Sequence, residues 1–180
     1  MKQKLIEILS ANPRTLPDLR LVKSLNLPNW YIAAGYVRNQ VWDHLHGMKL
    51  SRHFNDVDVI YFDKSDIREE TEKTFERQLR EANHELNWSV KNQARMHVRN
   101  QDSPYIDVED AMKRWPETAT AVGITLTDNG MIEIIAPHGL DDLFQLKVKK
   151  SPYYKDKDRF LERVHSKRWL EIWPQLTLQV

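Results

Sequence analysis

The chain has 180 residues, 41% hydrophobic and 29% charged, with a formal net charge of +1. That length suits one domain whose core stands without disulfides or structural metal, and the near-neutral balance excludes a global field aimed at nucleic acid or an anionic membrane. The lack of cysteine excludes disulfides, thiolate metal sites and a cysteine nucleophile.

The first segment, MKQKLIEILSANPRTL, has its apolar run broken by Glu7, and no stretch reaches the apolar length of a membrane span. A cytoplasmic location without a membrane partner is therefore expected. Residues 2–10 and 14–26 are predicted as two short helices parted at Pro13, with Leu16, Leu19, Val22 and Leu25 at helical spacing in the second. Residues 1–27 thus form a helical addition to a single domain spanning 1–180. NWYIAA (29–34) is a short run of strand formers, followed by Gly35 and a helical stretch, YVRNQVWDHLHG, closed by Gly47.

DVDVIYF (56–62) is predicted as a strand. Val57, Val59 and Tyr61 face one way; Asp56, Asp58, Ile60 and Phe62 face the other. Residues 66–85 form a charged helix, 88–94 a third strand and 107–114 a short helix. Segments 123–127 and 131–136 flank Asp128-Asn129-Gly130, a hairpin signal in which Asn-Gly supplies the positive φ of a primed turn. A helix over 139–145 follows, then one amphipathic helix over 157–173 within a C-terminal helical addition (155–175). The order gives an α/β (α+β) fold: a small mixed sheet flanked by helices.

The chemistry centres on Asp56 and Asp58. Carboxylates at i and i+2 of a strand share a face and repel each other unless a cation lies between them. Mg²⁺ or Mn²⁺ suits such a pair, because these ions take oxygen ligands and leave positions for substrate phosphates. Upstream, Gly35 lets backbone approach a phosphate, the helix start supplies N–H groups and a positive dipole end, and Arg38 in the first turn can fork onto phosphate oxygens. Arg95 and His97, after the third strand, are further candidates for phosphate contact or base chemistry, and Arg114 and Thr118 for the cleft wall. His138 to Asp142 reads as a helix start whose acids complement the dipole. The tryptophans read as core rather than stacking platforms.

These residues carry a resemblance. AAGYVRNQVWDHLHG followed by DVDVIYF resembles the head domain of the DNA polymerase β-type nucleotidyltransferase superfamily. In its CCA-adding and poly(A) polymerase members a Gly-Gly-x-Val-Arg-Asp segment precedes a metal-binding Asp-x-Asp. Ala34-Gly35-Tyr36-Val37-Arg38-Asn39 matches that segment, with alanine for the first glycine and asparagine for the aspartate. RWPETATAVGI (114–124) and IEIIAPHGLDDL (132–143) occupy the places of the later head segments. WYIAAGYVRNQVWD, DVDVIYFD, VKNQARMH, PETATAVG and APHGLDDLF resemble a bacterial group of small uncharacterised nucleotidyltransferase-like proteins. The likeness covers residues 25–175. It implies a nucleotidyltransferase fold, Asp56 and Asp58 as catalytic metal ligands, and Gly35, Arg38, Asn39, Asn92, Arg95 and Arg114 on the nucleotide.

Three features depart from the pattern. The loop from Gly35 to Asp56 is long, the likeness covers the head segment without the RNA-binding body that CCA-adding enzymes carry after it, and the third carboxylate is not evident. On the third strand Asn92 is an amide candidate for it; Asp107, Glu109 and Asp110 would serve only if the chain folded back. The expected activity is transfer of a nucleoside monophosphate from a nucleoside triphosphate to a small-molecule, protein or RNA acceptor with release of pyrophosphate. The alternatives are a non-catalytic nucleotide- or partner-binding module on the same fold, and an RNA-directed factor acting through the basic stretch 147–159.

Overall fold

The protein is described here from a computed structural model covering residues 1–49 and 56–180. The long loop thus falls partly outside the described residues. In chain order the elements are α1 (Lys2–Ser10), α2 (Thr15–Lys23), β1 (Tyr31–Ala33), α3 (Gly35–Leu45), β2 (Val57–Tyr61), α4 (Glu69–Ala82), β3 (Trp88–Asn92), α5 (Gln93–Asn100), α6 (Val108–Lys113), β4 (Gly123–Leu126), β5 (Ile132–Ile135), α7 (Asp141–Phe144), β6 (Lys147–Lys149), α8 (Lys157–Ser166), α9 (Trp169–Ile172) and β7 (Thr177–Gln179). A five-stranded sheet runs in the order β3-β2-β1-β4-β5, parallel only between β2 and β3. It is the mixed sheet flanked by helices that the sequence order implied.

Alternation along β2 divides two cores. Val57, Val59 and Tyr61 join Ile32, Trp88, Val90 and Ile124 in the larger one, which also takes in Leu5, Leu9, Leu19 and Val22 from α1 and α2. Ile60 and Phe62 face the opposite side and pack with Ala94, Met96, Val108 and Met112 from α5 and α6. Asp58 shares the side of Ile60, because i and i+2 in a strand point the same way. The second core thus stops short of the strand's N-terminal end and leaves that end open.

Several boundaries differ from the sequence reading for identifiable reasons. The third strand stops at Asn92, whose side chain accepts from Ala94 N (3.0 Å) and caps α5, a helix the reading did not contain. The single helix expected over 157–173 breaks at Arg168 (φ 53°) into α8 and α9. The last residues then form β7, which pairs in parallel with β6. At the β4–β5 turn only Gly130 takes a positive φ (75°), while Gly130 N bonds back to Thr127 O at 3.0 Å. The turn is closed by a left-handed glycine alone, rather than by the positive φ at both Asn129 and Gly130 that a primed turn takes. Among the described residues no helix is long and apolar enough to cross a membrane.

Ala34, between β1 and α3, has φ 56° and ψ −124°, backbone that favours glycine. It is held there by Ala34 N to Val122 O (2.9 Å) and by Arg38 N to Ala34 O (2.9 Å). Strain of this kind costs about 1–3 kcal/mol, against about 0.5–1 kcal/mol of extra chain entropy for glycine in the unfolded state. Ala34→Gly is therefore expected to raise stability by about 1 kcal/mol, read as a higher midpoint in urea at unchanged slope.

Candidate active site

Two cavities meet at the N-terminal end of β2. The smaller, about 400 Å³, is lined by Gly35, Arg38, Asn39, Asp56 and Asp58 together with Trp169 and Trp173. The larger, about 900 Å³, runs between α5 and α8 and includes Asp58, Lys91, Arg99, Arg114, Tyr154 and Arg159. Asp58, Ala34, Arg163 and Lys167 line both. Asp56 lies just before β2, exposed, and accepts from Asn87 Nδ2. Burial holds the Asp58 carboxyl above its ordinary range, and the Asp56 charge pushes it the same way; Arg38, Arg163 and Lys167 pull against them. A half-buried carboxylate repelled by its neighbour is relieved by a cation between the two, so this oxygen-donor pair fits a hard divalent ion. Among the described residues no group of three acidic or histidine side chains converges on one point.

Arg38 is 5% exposed. Its guanidinium lies over Trp169 (4.2 Å to the ring centre) and Trp42 (5.0 Å), donates through Nη1 to Thr120 Oγ1 at 2.7 Å, and donates through Nε and Nη2 to Asn39 Oδ1 at 3.2 and 2.9 Å. Burial lowers its pKa to about 10, opposed by Glu117 and Asp58; it is still charged at neutral pH. Asn39 thus serves as an acceptor that aims Arg38. A Cβ on Gly35 would stand 3.6 Å from Arg38 Nη2 and 3.7 Å from Asn39 Nδ2, in front of the donors a phosphate would meet. Glycine keeps that cradle open, although the positive φ of the turn belongs to Ala34.

Two of the residues assigned to the nucleotide lie elsewhere. The Asn92 amide is fully engaged: it accepts from Asp63 N (3.0 Å) and Ala94 N, and donates to Asp63 O (2.6 Å) and Asp66 O (2.9 Å). It is wholly buried and lines neither cavity, so it does not stand in for a third carboxylate. Across the sheet, Asp58 is flanked by Ala33 on β1 and Ser89 on β3, neither of them acidic. Arg95 is also placed away from both cavities. Its Nε and Nη2 fork onto Glu72 (2.7 and 2.6 Å), whose side chain is 0% exposed. Among the described residues, Arg95→Ala would leave Glu72 with only Lys91 at 3.6 Å and the Asn92 N–H. We expect it to cost about 2 kcal/mol of stability while leaving nucleotide affinity unchanged, by paired denaturation and calorimetry.

Arg114 does line the larger cleft, with Nη2 on Asp110 Oδ1 at 3.2 Å and its guanidinium 5.5 Å from the Tyr105 ring centre. Thr118 is turned to Asp142 Oδ2 (2.8 Å), and Thr120 takes the place beside Arg38 instead. His97 is tied to Ala94 O (3.0 Å). Asp107 caps α6, while Glu109 and Asp110 pair with Lys113 and Arg114, so none of the three reaches Asp58. Of the basic stretch 147–159, Tyr153, Tyr154, Lys155, Asp156 and Arg159 line the larger cleft.

The sequence reading held Arg159 only as the end of the basic stretch 147–159 and missed Arg163 and Lys167. Arg159, Arg163 and Lys167 stand four apart along α8 and its C-cap and form one stripe facing the cleft. Their spacing was the available signal. It also missed that Trp42, Trp169 and Trp173 pack edge to face, with centroids 5.7 and 5.1 Å from Trp42, and so carry the C-terminal segment onto α3.

Comparison with known proteins agrees with the fold. Residues 20–178 match a family described as nucleotidyltransferase. An NMR structure described as revealing a CCA-adding enzyme head domain is 32% identical, with a TM-score of 0.87, over 99% of this chain and 96% of that one. The Thermotoga maritima CCA-adding enzyme complexed with tRNA shares 14% identity at a TM-score of 0.60, over 97% of this chain and 42% of that one. A CCA-adding enzyme with CTP shares 16% identity at 0.53, over 95% and 47%. The chain spans less than half the length of these two larger enzymes, and at such identity they show the fold alone. No curated protein matches the sequence.

Proposed function

The chain belongs to the nucleotidyltransferase family, and on that premise we propose that it transfers a nucleoside monophosphate from a nucleoside triphosphate to an acceptor, with Mg²⁺ or Mn²⁺ held by Asp56 and Asp58. The observation that carries this reading is the convergence of both carboxylates, Gly35 and Arg38 on one cavity, with Asp58 also lining the larger cleft. The acceptor hydroxyl gives up its proton to solvent as its oxygen bonds to the α-phosphorus and the bridging oxygen departs with pyrophosphate. When bound, the divalent ion supplies activation of the attacking oxygen and neutralises charge on the leaving group.

The protein's own part is positioning. The start of α3 offers the Gly35 N–H and its positive dipole end to the phosphates, since Val37 N and Arg38 N already donate to Ala34 O. Arg38, stacked on Trp169 and oriented by Asn39 and Thr120, presents its remaining N–H groups to the β- and γ-phosphates. The larger cleft leaves room for the nucleoside and acceptor, with Arg114 on its wall. The cations there suit an anionic occupant. Small molecules, proteins and RNA all stay in the acceptor screen, because the tRNA and CTP complexes are those of the larger enzymes.

The test is pyrophosphate release from each nucleoside triphosphate, with and without Mg²⁺, across that screen. Metal-dependent release supports the reading. Melting shifts with nucleotide but no release would favour a binding module, a reading that rests on the absence of a third acidic side chain beside Asp58 among the described residues.

A further inference from the structure

Arg163 stands where the two cavities join, beside Asp58. Its Nε donates to Glu117 Oε1 at 2.8 Å, and the Glu117 side chain is 1% exposed. Glu117 Oε2 is buried without a partner among the described residues, so Arg163 is the cation directly bonded to this carboxylate. The Arg163 guanidinium lies 5.8 Å from the centre of the Trp169 ring, the same ring that carries Arg38. Among the described residues its Nη groups have no hydrogen-bond partner, and the side chain is 38% exposed toward the cavities. It is therefore a guanidinium fixed at one edge with its fork free. Its neighbours on the stripe lack one or other property. Arg159 lines only the larger cleft, and Lys167 is an exposed point charge.

The position is informative. If the β- and γ-phosphates lie at the Gly35 turn and the acceptor enters by the larger cleft, the α-phosphate sits at the junction. We infer that Arg163, anchored by Glu117 and Trp169, is a second phosphate-binding arginine and contacts the α-phosphate, while Arg38 holds the departing pyrophosphate. A planar fork preorganised by a buried carboxylate loses little freedom on binding phosphate, which a flexible lysine does not match. This assignment rests on the nucleotidyltransfer reading.

The competing explanation is that Arg163 only neutralises Glu117. Removing Arg163 alone would strand a buried charge, so the test compares Glu117→Gln with the double variant Glu117→Gln/Arg163→Gln, where neither charge remains. The probes are inorganic tripolyphosphate and pyrophosphate with Mg²⁺, titrated by calorimetry. The double variant is expected to bind tripolyphosphate about tenfold or more weakly than the single variant, with pyrophosphate changed by less than about threefold. Lys157→Gln, which removes one charge from α8 outside both cavities, is expected to change neither by more than about twofold. Arg163→Lys keeps the ion pair and the charge but not the fork, and is expected to recover only part of the tripolyphosphate affinity. Equal losses for both probes, or none, would overturn the assignment. Wild-type protein that binds neither anion in Mg²⁺ removes the nucleotidyltransfer reading and this assignment with it. Wild type that binds both, beside unchanged Arg163 variants, removes this assignment alone.

Discussion

Asp58→Asn is expected to lower pyrophosphate release by about three orders of magnitude or more while the protein stays folded and, without metal, melts no lower than wild type at neutral pH. Asparagine keeps the shape and one acceptor oxygen but removes a full charge, so the Asp56–Asp58 pair loses half its attraction for a divalent ion. The stability sign follows from the direction of the Asp58 shift. Burial and Asp56 raise its folded pKa above the ordinary 3.8. The native state therefore holds this proton more tightly than the unfolded chain, and stability falls as pH rises from the ordinary value through the folded one. Above that window the wild type carries the whole penalty and Asp58→Asn carries none. Below the ordinary aspartate range the two converge. Metal-free melting curves from about pH 3 to pH 8 should show the advantage of the variant appear as pH rises. Mg²⁺ plus triphosphate should stabilise wild type more than the variant, because a ligand stabilises in proportion to its affinity for the folded state. Identical shifts in both proteins would mean that Asp58 holds no functional metal.

What was legible in the sequence is what depends on local periodicity. The i, i+2 alternation of residues 56–62 placed Val57, Val59 and Tyr61 against one core and Ile60 and Phe62 against the other, and the strand, glycine, helix order put Gly35 and the two carboxylates on one cavity. What was not legible depends on partners far along the chain. Arg95 has the local look of a phosphate ligand, yet its carboxylate is 23 residues away on α4. Asn92 carried a usable signal, since asparagine before a helical run favours an N-cap, but the strand was read through it to residue 94. Arg38 was legible as a site residue and illegible as a buried one. Its aromatic shelf comes from Trp169, and the shelf is set by Trp173 Nε1 donating to Asp43 Oδ1 at 2.8 Å, 130 residues apart in sequence.

That burial changes what Arg38 substitutions should do. If Arg38 did no more than fork onto phosphate oxygens from the first turn, Arg38→Ala would weaken triphosphate binding and leave the fold intact. The structure makes Arg38 part of the packing that joins α3, Thr120 and the tryptophan cluster. Truncation to alanine removes two cation–π contacts and a charged hydrogen bond to a buried hydroxyl, and opens a void beneath Trp169; a loss of about 2–4 kcal/mol is expected. Arg38→Met separates the two roles. Methionine keeps much of the length and fills the space against both rings, and it also relieves the burial that lowers the guanidinium pKa to about 10. Replacing a buried charge with an apolar side chain of similar volume is often nearly neutral, so Arg38→Met should remain within about 1 kcal/mol of wild type by denaturation. Its triphosphate affinity should still fall by about 1.5–3 kcal/mol, roughly ten- to a hundredfold, because the phosphate loses a charged donor. Calorimetry on Arg38→Met, with its melting curve beside it, decides between the roles. A stable variant with unchanged affinity would make Arg38 a structural residue of the α3 to C-terminal junction and move phosphate recognition to the remaining donors at the Gly35 turn.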